Sequence, residues 1–342
     1  MNQVTIKDIA KQLNLSPSTI SRVLHNHPDI SSGTRERVLK LVEELDYHPN
    51  SIAQSLKKKQ SKIIGVIVPQ VRHYFFASIM SGITDVAYHD GYTVMICQSN
   101  ESFEREVINV RALISQRVAG VLISISKNTN SYDHFEQLKK RGIPLVFFDR
   151  LCEDFEAHRV GVDDFEGAFK AVEHLIQNGY QRIAHLAGPN NLNISLQRIR
   201  GYRAALEKYN IKIDDNLIVC CGLNEEDGVT GTEKLLNLKD RPDAIFAVTD
   251  PVAIGAYIKL KENNIEIPDD IALVGFSDNP TVSLIDPPLT SVRQPAYEMG
   301  KTAAKLLLEQ IENEHDNSSL KTIIFQAELI VRKSSCPKNK IS

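Results

Sequence analysis

Small hydroxyl side chains and one arginine lie on the outward face of a short predicted helix, within the sequence Ser16-Pro17-Ser18-Thr19-Ile20-Ser21-Arg22. Ser16 is suited to cap this helix and Pro17 to occupy its first turn, where a missing N–H is not needed. Short hydroxyl groups approach nucleotide bases or phosphates without steric hindrance, and an arginine binds either a guanine or a phosphate. The pattern predicts nucleic-acid contact, and a solvated helix face is the alternative.

Two more predicted helices support this one. Thr5 followed by Asp8 resembles a capping box at the start of the first helix, and Ser31 is placed at the start of the third helix. All three helices carry apolar residues at helical spacing: Ile6, Ile9, Ala10 and Leu13 in the first, Ile20, Val23 and Leu24 in the second, and Val38, Leu41, Val42 and Leu45 in the third. Two short helices joined by a tight turn and braced by a third predict a helix-turn-helix unit, whose second helix enters a DNA groove.

The distribution of charge agrees with a polyanionic partner at the N-terminal end. Residues 1–62 carry ten Lys/Arg and six Asp/Glu, so their net charge is +4, whereas the other 280 residues carry −7. A basic unit attached to an acidic body suggests a polyanion-binding head. Ordinary solvated helices also reach such a charge, so the motifs carry more of the argument.

No sequence pattern indicates catalysis, a cofactor or a metal site. The patterns G-x-x-x-x-G-K-[ST], G-x-G-x-x-G, H-E-x-x-H and G-x-S-x-G are all missing. His185 lies in an apolar run and is better explained as a core histidine than as a base. The five cysteines, at positions 97, 152, 220, 221 and 336, include no C-x-x-C pair, which is typical of reduced thiols in the cytoplasm. We therefore expect a cytoplasmic protein that is not an enzyme and has no cofactor.

A short basic helix is predicted at residues 50–59, with the sequence NSIAQSLKKK. Asn50 is suited to the N-cap, and Ile52, Ala53 and Leu56 share one face. A helix of about two turns is marginal in water without a partner. We expect this segment to link the head to the body and, in a dimer, to pair through Ile52 and Ala53 while Leu56 wedges into a minor-groove step. A solvated linker is the alternative.

From Lys62 onward, short apolar runs alternate with helical stretches. The runs are 63–68, 93–97, 118–125, 145–148, 182–186, 217–220, 244–248 and 271–275. Glycine at helix-to-strand joints, as at Gly91, Gly142 and Gly179, suits a left-handed helix C-cap. This alternation predicts parallel α/β sheets, and two Rossmann-like lobes fit the number of strands better than one long sheet. Ligands of such sheets bind beyond the carboxyl ends of the strands, which here line a cleft between the lobes.

Motifs in both parts of the chain resemble one known family. In the head they are VTIKDIA, LSPSTISRVL, ISSGTRERV and LDYHPN, and in the body GVIVP, RVAGV, FDR, HLAGP, RIRGY, VGF and PLTSVRQ. The chain is identified on these motifs as a member of the lactose/galactose repressor family of bacterial transcription regulators, to about residue 333. The resemblance implies a helix-turn-helix head at 1–48, a hinge at 49–61, an N-terminal lobe at 62–161 plus 291–322, a C-terminal lobe at 162–290 plus 323–334, and a tail at 335–342. The two lobes are expected to be similar to periplasmic sugar-binding proteins.

The resemblance assigns base reading to three residues of the second helix, Pro17, Ser18 and Arg22. Pro17 has no long polar side chain, so we expect less base reading at that point. Phosphate and positioning contacts are expected from Thr5, Ser16, Thr19, Ser21, Asn26 and Thr34. In the hinge, DNA contacts are expected from Asn50, Ser51, Ala53, Leu56 and Lys57.

Family positions that line the effector cleft correspond here to Phe75, Phe76, Asp149, Arg198, Thr249, Asp250, Ser277, Asp278 and Gln294. Aromatic faces stack on a sugar ring or a base, and the charged groups bind hydroxyls or an anion. The alternatives are that the Phe pair belongs to the core, that the aspartates at 149 and 250 cap helices, and that Arg198 pairs with a surface carboxylate. Many relatives read G-[FY]-D-[DN], whereas this chain reads GFSDN, so the ligand carboxylate is either displaced to Asp278 or lost.

We therefore predict a ligand-responsive, sequence-specific DNA-binding regulator, chiefly a repressor of genes for carbohydrate uptake or catabolism. A homodimer is expected to bind palindromic operator DNA, and a sugar or sugar derivative in the cleft to change operator affinity. A purine-like or phosphorylated corepressor is the alternative effector. A sugar-binding transport or sensor protein is a more distant alternative, which the absence of an export signal disfavours. No apolar run approaches the ~18 residues that span a bilayer, so no membrane partner is expected.

Overall fold

The computed structural model describes residues 4–24, 26–47, 61–313 and 319–336. The chain divides into two units, residues 1–61 and residues 62–342. The expected hinge contacts at Asn50, Ser51, Ala53, Leu56 and Lys57 lie outside the described residues. None of the helices within the described ranges is long and apolar enough to cross a membrane.

Three helices build the described part of the N-terminal unit: α1 (Ile6–Leu13), α2 (Pro17–Leu24) and α3 (Ser32–Glu44). Thr5 caps α1 in a complete capping box with Asp8, and Ser31 caps α3 by accepting a hydrogen bond from the Thr34 amide. Asn14 has a left-handed conformation that ends α1 and begins the turn into α2. Side chains at helical spacing meet in one small core: Ile9, Ala10, Ile20, Val23, Val38 and Leu41. The predicted helix-turn-helix unit is confirmed.

The first lobe of the 62–342 unit is built on parallel strands. These are β1 (Ile63–Val68), β2 (Thr93–Gln98), β3 (Gly120–Ile123), β4 (Leu145–Phe148), β5 (His158–Val162) and β11 (Thr322–Phe325), in the order β11-β5-β4-β3-β1-β2. Its helices are α4 (Tyr74–His89), α5 (Phe103–Ser115), α6 (Asp133–Lys139) and α11 (Ala296–Glu312). In β4, Leu145 and Phe147 pack into one apolar cluster and Val146 and Phe148 into another. Both faces of the sheet are therefore covered, which is why its strands read as continuous apolar runs.

The second lobe repeats this plan. Its strands are β6 (Ile183–Ala187), β7 (Ile218–Cys220), β8 (Ala244–Ala247), β9 (Ala272–Ser277), β10 (Thr290–Arg293) and β12 (Glu328–Ile330), in the order β12-β10-β9-β8-β6-β7. β12 runs antiparallel to β10, and the other pairs are parallel. Its helices are α7 (Asp164–Gln177), α8 (Asn193–Lys208), α9 (Glu225–Leu236) and α10 (Asp250–Glu262). The predicted pair of Rossmann-like lobes is confirmed.

The chain crosses between the lobes after β5, after β10 and after β11. Sheet pairing corrects two of the expected lobe boundaries, because Thr290–Arg293 pairs in the second sheet and Thr322–Phe325 in the first. The boundaries expected before residues 291 and 323 therefore lie a few residues further along the chain. β11 and β12 are short and half-exposed, and β10 is buried but reads TSVR, so none of the three shows the apolar run that marks a buried strand.

Glycine lets three pairs of helices approach to backbone contact. A methyl group at Gly255 of α10 would overlap the carbonyl oxygen of Glu225 at the start of α9. One at Gly300 of α11 would overlap the backbone of α4, and one at Gly201 of α8 would overlap the carbonyl oxygen of Phe165 in α7. No side chain separates these backbones, so each pair packs as one rigid body.

His185 lies on β6 and is a core residue. Its ring stacks on Phe246 with 4.8 Å between ring centroids and on Tyr202 with 5.3 Å. Its Nδ1–H donates to the Phe246 carbonyl at 2.9 Å. Burial lowers the pKa of His185 to about 4, because the imidazolium would lose its water in an apolar site. These contacts agree with the expected core histidine and leave no role for it as a base.

Replacing His185 by phenylalanine should remove an acid-sensitive contribution to stability. The folded pKa of about 4 lies below the ordinary value of 6.5, so the unfolded chain binds the proton first and stability falls as pH drops from 6.5 towards 4. The shift corresponds to about 3 kcal/mol between neutral pH and pH 4. Urea unfolding at the two pH values should show a larger loss in the wild type than in H185F. An equal loss in both proteins would contradict this origin.

Candidate functional site

The N-terminal end of α2 carries a cluster of hydroxyl groups. Ser16 Oγ lies 2.7 Å from Ser18 Oγ and 2.8 Å from Thr19 Oγ1, and it accepts a hydrogen bond from the Thr19 amide at 3.1 Å. The predicted contact residues on α2 differ in exposure: Pro17, Ser18 and Arg22 are exposed, and Thr19 and Ser21 are half-buried. Helix N-termini favour phosphate oxygens, so the cluster offers polar contacts where a nucleic-acid backbone would be stabilised.

Two predicted contact residues outside α2 already have partners at helix caps. Thr5 Oγ1 donates to Asp8 Oδ2 at 2.6 Å, and this bond is the main reason that the pKa of the Asp8 carboxyl is lowered. The Ser31 hydroxyl donates to Thr34 Oγ1 at 2.9 Å. Both threonine hydroxyls therefore help to form the head.

Arg35 braces the loop that follows α2, a role that sequence reasoning missed. Asn26 has a left-handed conformation with φ of 56°, and its side-chain oxygen accepts a hydrogen bond from Arg35. A second guanidinium nitrogen of Arg35 donates to the His27 carbonyl at 2.8 Å. The Asn26 oxygen is thus used within the head, and its amide nitrogen is the group left for a contact with DNA.

A cavity lies between the lobes of the 62–342 unit, beyond the carboxyl ends of the strands. Loops after β2, β3 and β4 contribute to it from the first lobe, and loops after β8, β9 and β10 from the second. It brings together eight of the nine predicted effector residues: Phe75, Phe76, Asp149, Arg198, Thr249, Asp250, Ser277 and Gln294. The two Phe rings meet edge to face, 5.3 Å apart. This is the position at which open α/β sheets bind ligands.

Arg198 is a buried cation in the wall of the cavity. Its side chain is 2% exposed, its Nε and Nη2 donate to Asp164 Oδ1 at 2.9 and 2.6 Å, and its Nη1 donates to the Val248 carbonyl. The guanidinium carbon lies 3.6 Å from the centroid of the Phe276 ring. Burial raises the pKa of Asp164 to about 6, although Arg198 opposes the shift. The partner of Arg198 is therefore a buried carboxylate and not the surface carboxylate considered as an alternative.

Asp149 and Arg150 follow β4, and Arg150 Nε lies 3.9 Å from Asp149 Oδ2, an ion pair without a hydrogen bond. Asp149 Oδ2 accepts a hydrogen bond from the Ser124 hydroxyl at 3.0 Å, and burial raises the pKa of Asp149. Arg150 forms a bidentate pair with Glu101 at 2.7 and 2.8 Å. Burial disfavours the ionised form of Glu101, but Arg150 and the Lys127 amide outweigh it and lower the pKa of Glu101. Among the described residues, Arg150 Nε has no hydrogen-bond partner, so one donor of this pair is left for another acceptor.

Asp250 ties the loop after β9 to β10. Its Oδ1 accepts from the Ser291 hydroxyl at 2.6 Å and its Oδ2 from the Asn279 amide at 2.7 Å. Burial raises the pKa of Asp250 to about 6 despite these bonds. The Ser277 hydroxyl donates to Gln294 Oε1 at 3.1 Å, which leaves Gln294 Nε2 without a partner in the described part of the chain. A buried donor of this kind is normally paired, and an oxygen of a ligand would pair it.

Comparison with known proteins gives two matching family models. The model of bacterial regulatory proteins of the lacI family matches residues 5–50, and that of the periplasmic binding protein-like domain matches residues 172–335. The HTH-type transcriptional repressor PurR of Vibrio atlanticus (strain LGP32) is 33% identical over 310 residues, which cover 90% of this chain and 92% of PurR. This chain belongs to the lacI family. It is a DNA-binding regulator of transcription and not an enzyme, as predicted.

Solved structures of lacI-family proteins share the fold. The lac repressor dimer bound to operator and the anti-inducer ONPF has a TM-score of 0.86 at 27% identity, with 98% of this chain and 100% of that chain covered. The complex of the transcriptional regulator CelR with cellobiose has a TM-score of 0.74 at 27% identity, with 97% and 100% covered. The family resemblance and the fold class predicted from the motifs are confirmed.

One predicted effector residue of this lacI-family chain lies elsewhere. Asp278 pairs with Arg293 at 2.8 Å and with Arg332 at 2.7 Å, and it is not among the residues that line the cavity. Of the two alternatives for the ligand carboxylate, displacement to Asp278 or loss, this placement favours loss. Ser277, which stands where many relatives have that carboxylate, offers a hydroxyl instead.

Sequence reasoning left several residues of the cavity and its rim unassigned. The further lining residues are His73, Tyr74, Glu101, Lys127, Arg150, Ile194, Leu223, Asn224, Pro251 and Asn279. Within the described ranges, polar contacts join the lobes at the rim: Arg72 donates to Asn224 at 2.9 Å, Asn193 to Glu153 at 2.7 Å, and Asn191 to the Lys127 carbonyl. Many of these lining residues directly follow a strand, and their position after an apolar run is the feature of the sequence that could have identified them. The rim contacts have no such signal.

The chemistry of this lacI-family cavity is that of binding. It presents an aromatic pair, a carboxylate at Asp149, and donors at Arg150 and Gln294 that have no hydrogen-bond partner among the residues that the structure describes. Within the described ranges, no group of three or more His, Cys, Asp or Glu side chains is arranged to hold a metal ion.

Asp164→Asn should strongly destabilise the folded protein, because it leaves the Arg198 guanidinium buried without its counter-ion. Removing one partner of a buried ion pair typically costs about 3–5 kcal/mol. The matched control is Asp215→Asn, since Asp215 is 82% exposed and pairs with Arg203 at 2.8 Å. Its effect should stay below about 1 kcal/mol. Urea unfolding measures both variants, and similar losses in the two would contradict the importance of the buried pair.

Proposed function

We propose that the protein is a ligand-responsive repressor that binds operator DNA through its head and a small effector in the cavity of the 62–342 unit. The proposal that the protein binds an effector rests on one observation: eight of the expected residues line the same cavity. Two buried donors of this cavity, at Arg150 and Gln294, have no hydrogen-bond partner in the described part of the chain. The same chain carries a helix-turn-helix head, so ligand binding and DNA binding belong to one molecule.

Operator contacts are proposed for the exposed face of α2 and the groups around it. Base edges are met by Pro17, Ser18 and Arg22, of which Arg22 has the donors for a guanine. Phosphate and positioning contacts are proposed for Thr5, Ser16, Thr19, Ser21, Asn26 and Thr34. The hinge residues Asn50, Ser51, Ala53, Leu56 and Lys57 remain proposed contacts, with Leu56 as the minor-groove wedge.

The proposed effector is a sugar or sugar derivative. Phe75 offers a ring face for stacking, and the Asp149 carboxylate, Arg150 Nε and Gln294 Nε2 suit hydroxyl groups, which both donate and accept. Arg150 and Arg198 are already paired with carboxylates of the protein. These two cations therefore do not require a negatively charged ligand, and an uncharged sugar is compatible with the site. The similarity to CelR, whose solved complex contains cellobiose, supports this class. A purine-like or phosphorylated corepressor is the second candidate, because Lys127 also lines the cavity.

We further propose that a homodimer binds a palindromic operator. One recognition helix reads only a few base pairs, and the similarity to the lac repressor dimer on its operator supports this arrangement. Effector in the cavity changes the relation of the two lobes and thereby operator affinity. By reciprocity, operator changes effector affinity by the same factor. The regulated genes are proposed to serve carbohydrate uptake or catabolism.

Arg22→Gln should weaken operator binding and relax its sequence preference. The full-length protein is first used to enrich DNA from a pool of randomised duplexes, which should yield a two-fold symmetric site. Loss of one arginine–base contact in each half-site should cost about 1–3 kcal/mol and relax selection at one base pair. The control is Arg37→Gln on the exposed face of α3, which should keep the base preference of the wild type. An unchanged preference in R22Q would remove Arg22 from the base-reading residues.

A thermal-shift screen with a carbohydrate library should identify at least one mono- or disaccharide that raises the unfolding temperature. Phe75→Ala should reduce the affinity for that sugar by roughly tenfold, because aromatic stacking contributes about 0.5–1.5 kcal/mol of binding free energy beyond the burial of apolar area. Phe165→Ala is the control, since Phe165 is half-exposed on α7 and does not line the cavity.

Each sugar found is then added to the protein on its selected DNA, and release or tightening is measured. If no sugar in the library raises the unfolding temperature but purines or sugar phosphates do, the effector belongs to the second candidate class.

A further inference from the structure

The loop 277–279 faces the cavity on one side and the segments that join the lobes on the other. Ser277 and Asn279 line the cavity, whereas the Asp278 carboxylate between them does not. Asp278 pairs instead with Arg293, the last residue of β10, and with Arg332, just after β12. β10 ends where the chain crosses to α11, and β12 begins where the chain returns from β11.

We propose that Asp278 is a positioning residue that clasps these two crossing segments and transmits the state of the cavity to the orientation of the lobes. Asp278, Arg293 and Arg332 are called the crossing clasp below. The proposal rests on the proposed function, because it concerns how the cavity is coupled to operator binding. It assigns Asp278 no contact with the effector.

The crossing clasp joins a buried carboxylate to one mostly buried and one half-exposed guanidinium group. The side chain of Asp278 is 5% exposed, that of Arg332 18% and that of Arg293 50%. Arg293 Nε lies 2.8 Å from one carboxylate oxygen and Arg332 Nη1 2.7 Å from the other. Arg332 Nη1 donates its hydrogen bond to the Leu289 carbonyl at 2.8 Å, and its contact with Asp278 Oδ1 is an ion pair without hydrogen-bond geometry. The Asp278 carboxylate is buried, so the loss of its charge leaves the mostly buried Arg332 guanidinium without a counter-ion, whereas Arg293 is half-exposed and also lies 3.7 Å from Glu328.

The backbone beneath the clasp is held in a conformation that few residues other than glycine adopt. The φ angle is 127° at Ser277 and 50° at Asp278. The Asp278 amide donates to the Ser291 hydroxyl at 3.0 Å, and the Ser277 hydroxyl donates to Gln294 at 3.1 Å. Strained backbone of this kind persists only where its surroundings enforce it. The loop is therefore poised to rearrange when one of these restraints is changed.

The route from cavity to clasp passes through Ser277 and Gln294. Both line the cavity, and they are hydrogen-bonded to each other. A ligand oxygen that accepts from the Ser277 hydroxyl, or a ligand hydroxyl that donates to Gln294 Oε1, competes with this bond and acts on the backbone that carries Asp278. Gln294 also directly follows Arg293 at the crossing into α11. Ligand binding at Gln294 and Ser277 therefore acts on the backbone beside Arg293 as well as on the backbone beside Asp278.

Full-length Asp278→Asn tests the proposal, since it keeps the shape of the side chain and removes its charge. The measurements are hydrogen–deuterium exchange of residues 291–296 and 328–333, and affinity for the symmetric DNA site enriched by the wild type. Exchange should become faster in both segments. Operator affinity should fall at least about threefold, because loosely joined lobes spend less time in the binding-competent arrangement.

Two further variants complete the test. Arg332→Gln opens the clasp from its other side and serves in place of Asp278→Asn should that protein not fold. In the double variant, operator affinity should fall no further than in the worse single variant, whereas independent effects would multiply. Asp215→Asn removes an exposed ion pair of the same lobe and should change neither measurement.

Faster exchange with wild-type operator affinity would overturn the proposal, because the clasp would then only stabilise the core. Unchanged exchange in both segments would also overturn it. Failure of the wild type to enrich any symmetric DNA would instead count against the proposed function, and this outcome is recognisable because it involves no clasp variant.

Discussion

The ion pair between Arg198 and Asp164 is the interaction on which the cavity depends. A guanidinium group that is 2% exposed needs a carboxylate beside it in a low-dielectric interior. Asp164 begins the helix that follows the first crossing, and Arg198 lies in the next helix, whose Gly201 brings the two backbones into contact. Phe276 covers the guanidinium from β9. The place of Arg198 in the wall therefore follows from helix packing, before any ligand is considered.

Pairing inside the protein decides which groups are left to recognise a ligand. Arg150 is neutralised by Glu101 and Arg198 by Asp164. Both carboxylate oxygens of Asp250 accept hydrogen bonds within the protein, one from the loop after β9 and one from β10. The hydrogen-bonding groups left for a ligand are one N–H of Arg150, the amide nitrogen of Gln294 and the Asp149 carboxylate. Selectivity of such a cavity comes from the positions of hydrogen-bonding atoms more than from net charge, because an ill-fitting ligand leaves those donors unpaired.

Much of the fold could be predicted because its signals are local. Capping residues such as Thr5 and continuous apolar runs such as Ile63–Val68 mark their elements directly, whereas the half-exposed strand Thr322–Phe325 does not. In the site, residues just after strands were predicted, as at Asp149. The pairing of Arg150 with Glu101 was not, because it joins residues 49 positions apart. Asp278 was misplaced because a left-handed backbone turns its carboxylate away from the face that its neighbours share.

The glycine contacts between helices have a mechanical consequence. Where Gly255, Gly300 and Gly201 bring backbones together, a helix pair has no soft side-chain layer that yields under load. In the proposed movement of the lobes, a lobe built from such pairs turns as a stiff lever about the crossings after β5, β10 and β11, its fulcrum. A small displacement of atoms close to the fulcrum then becomes a larger displacement at the far end of each lobe. Amplification of this kind requires stiffness, and glycine, usually the residue of flexible chain, supplies it here.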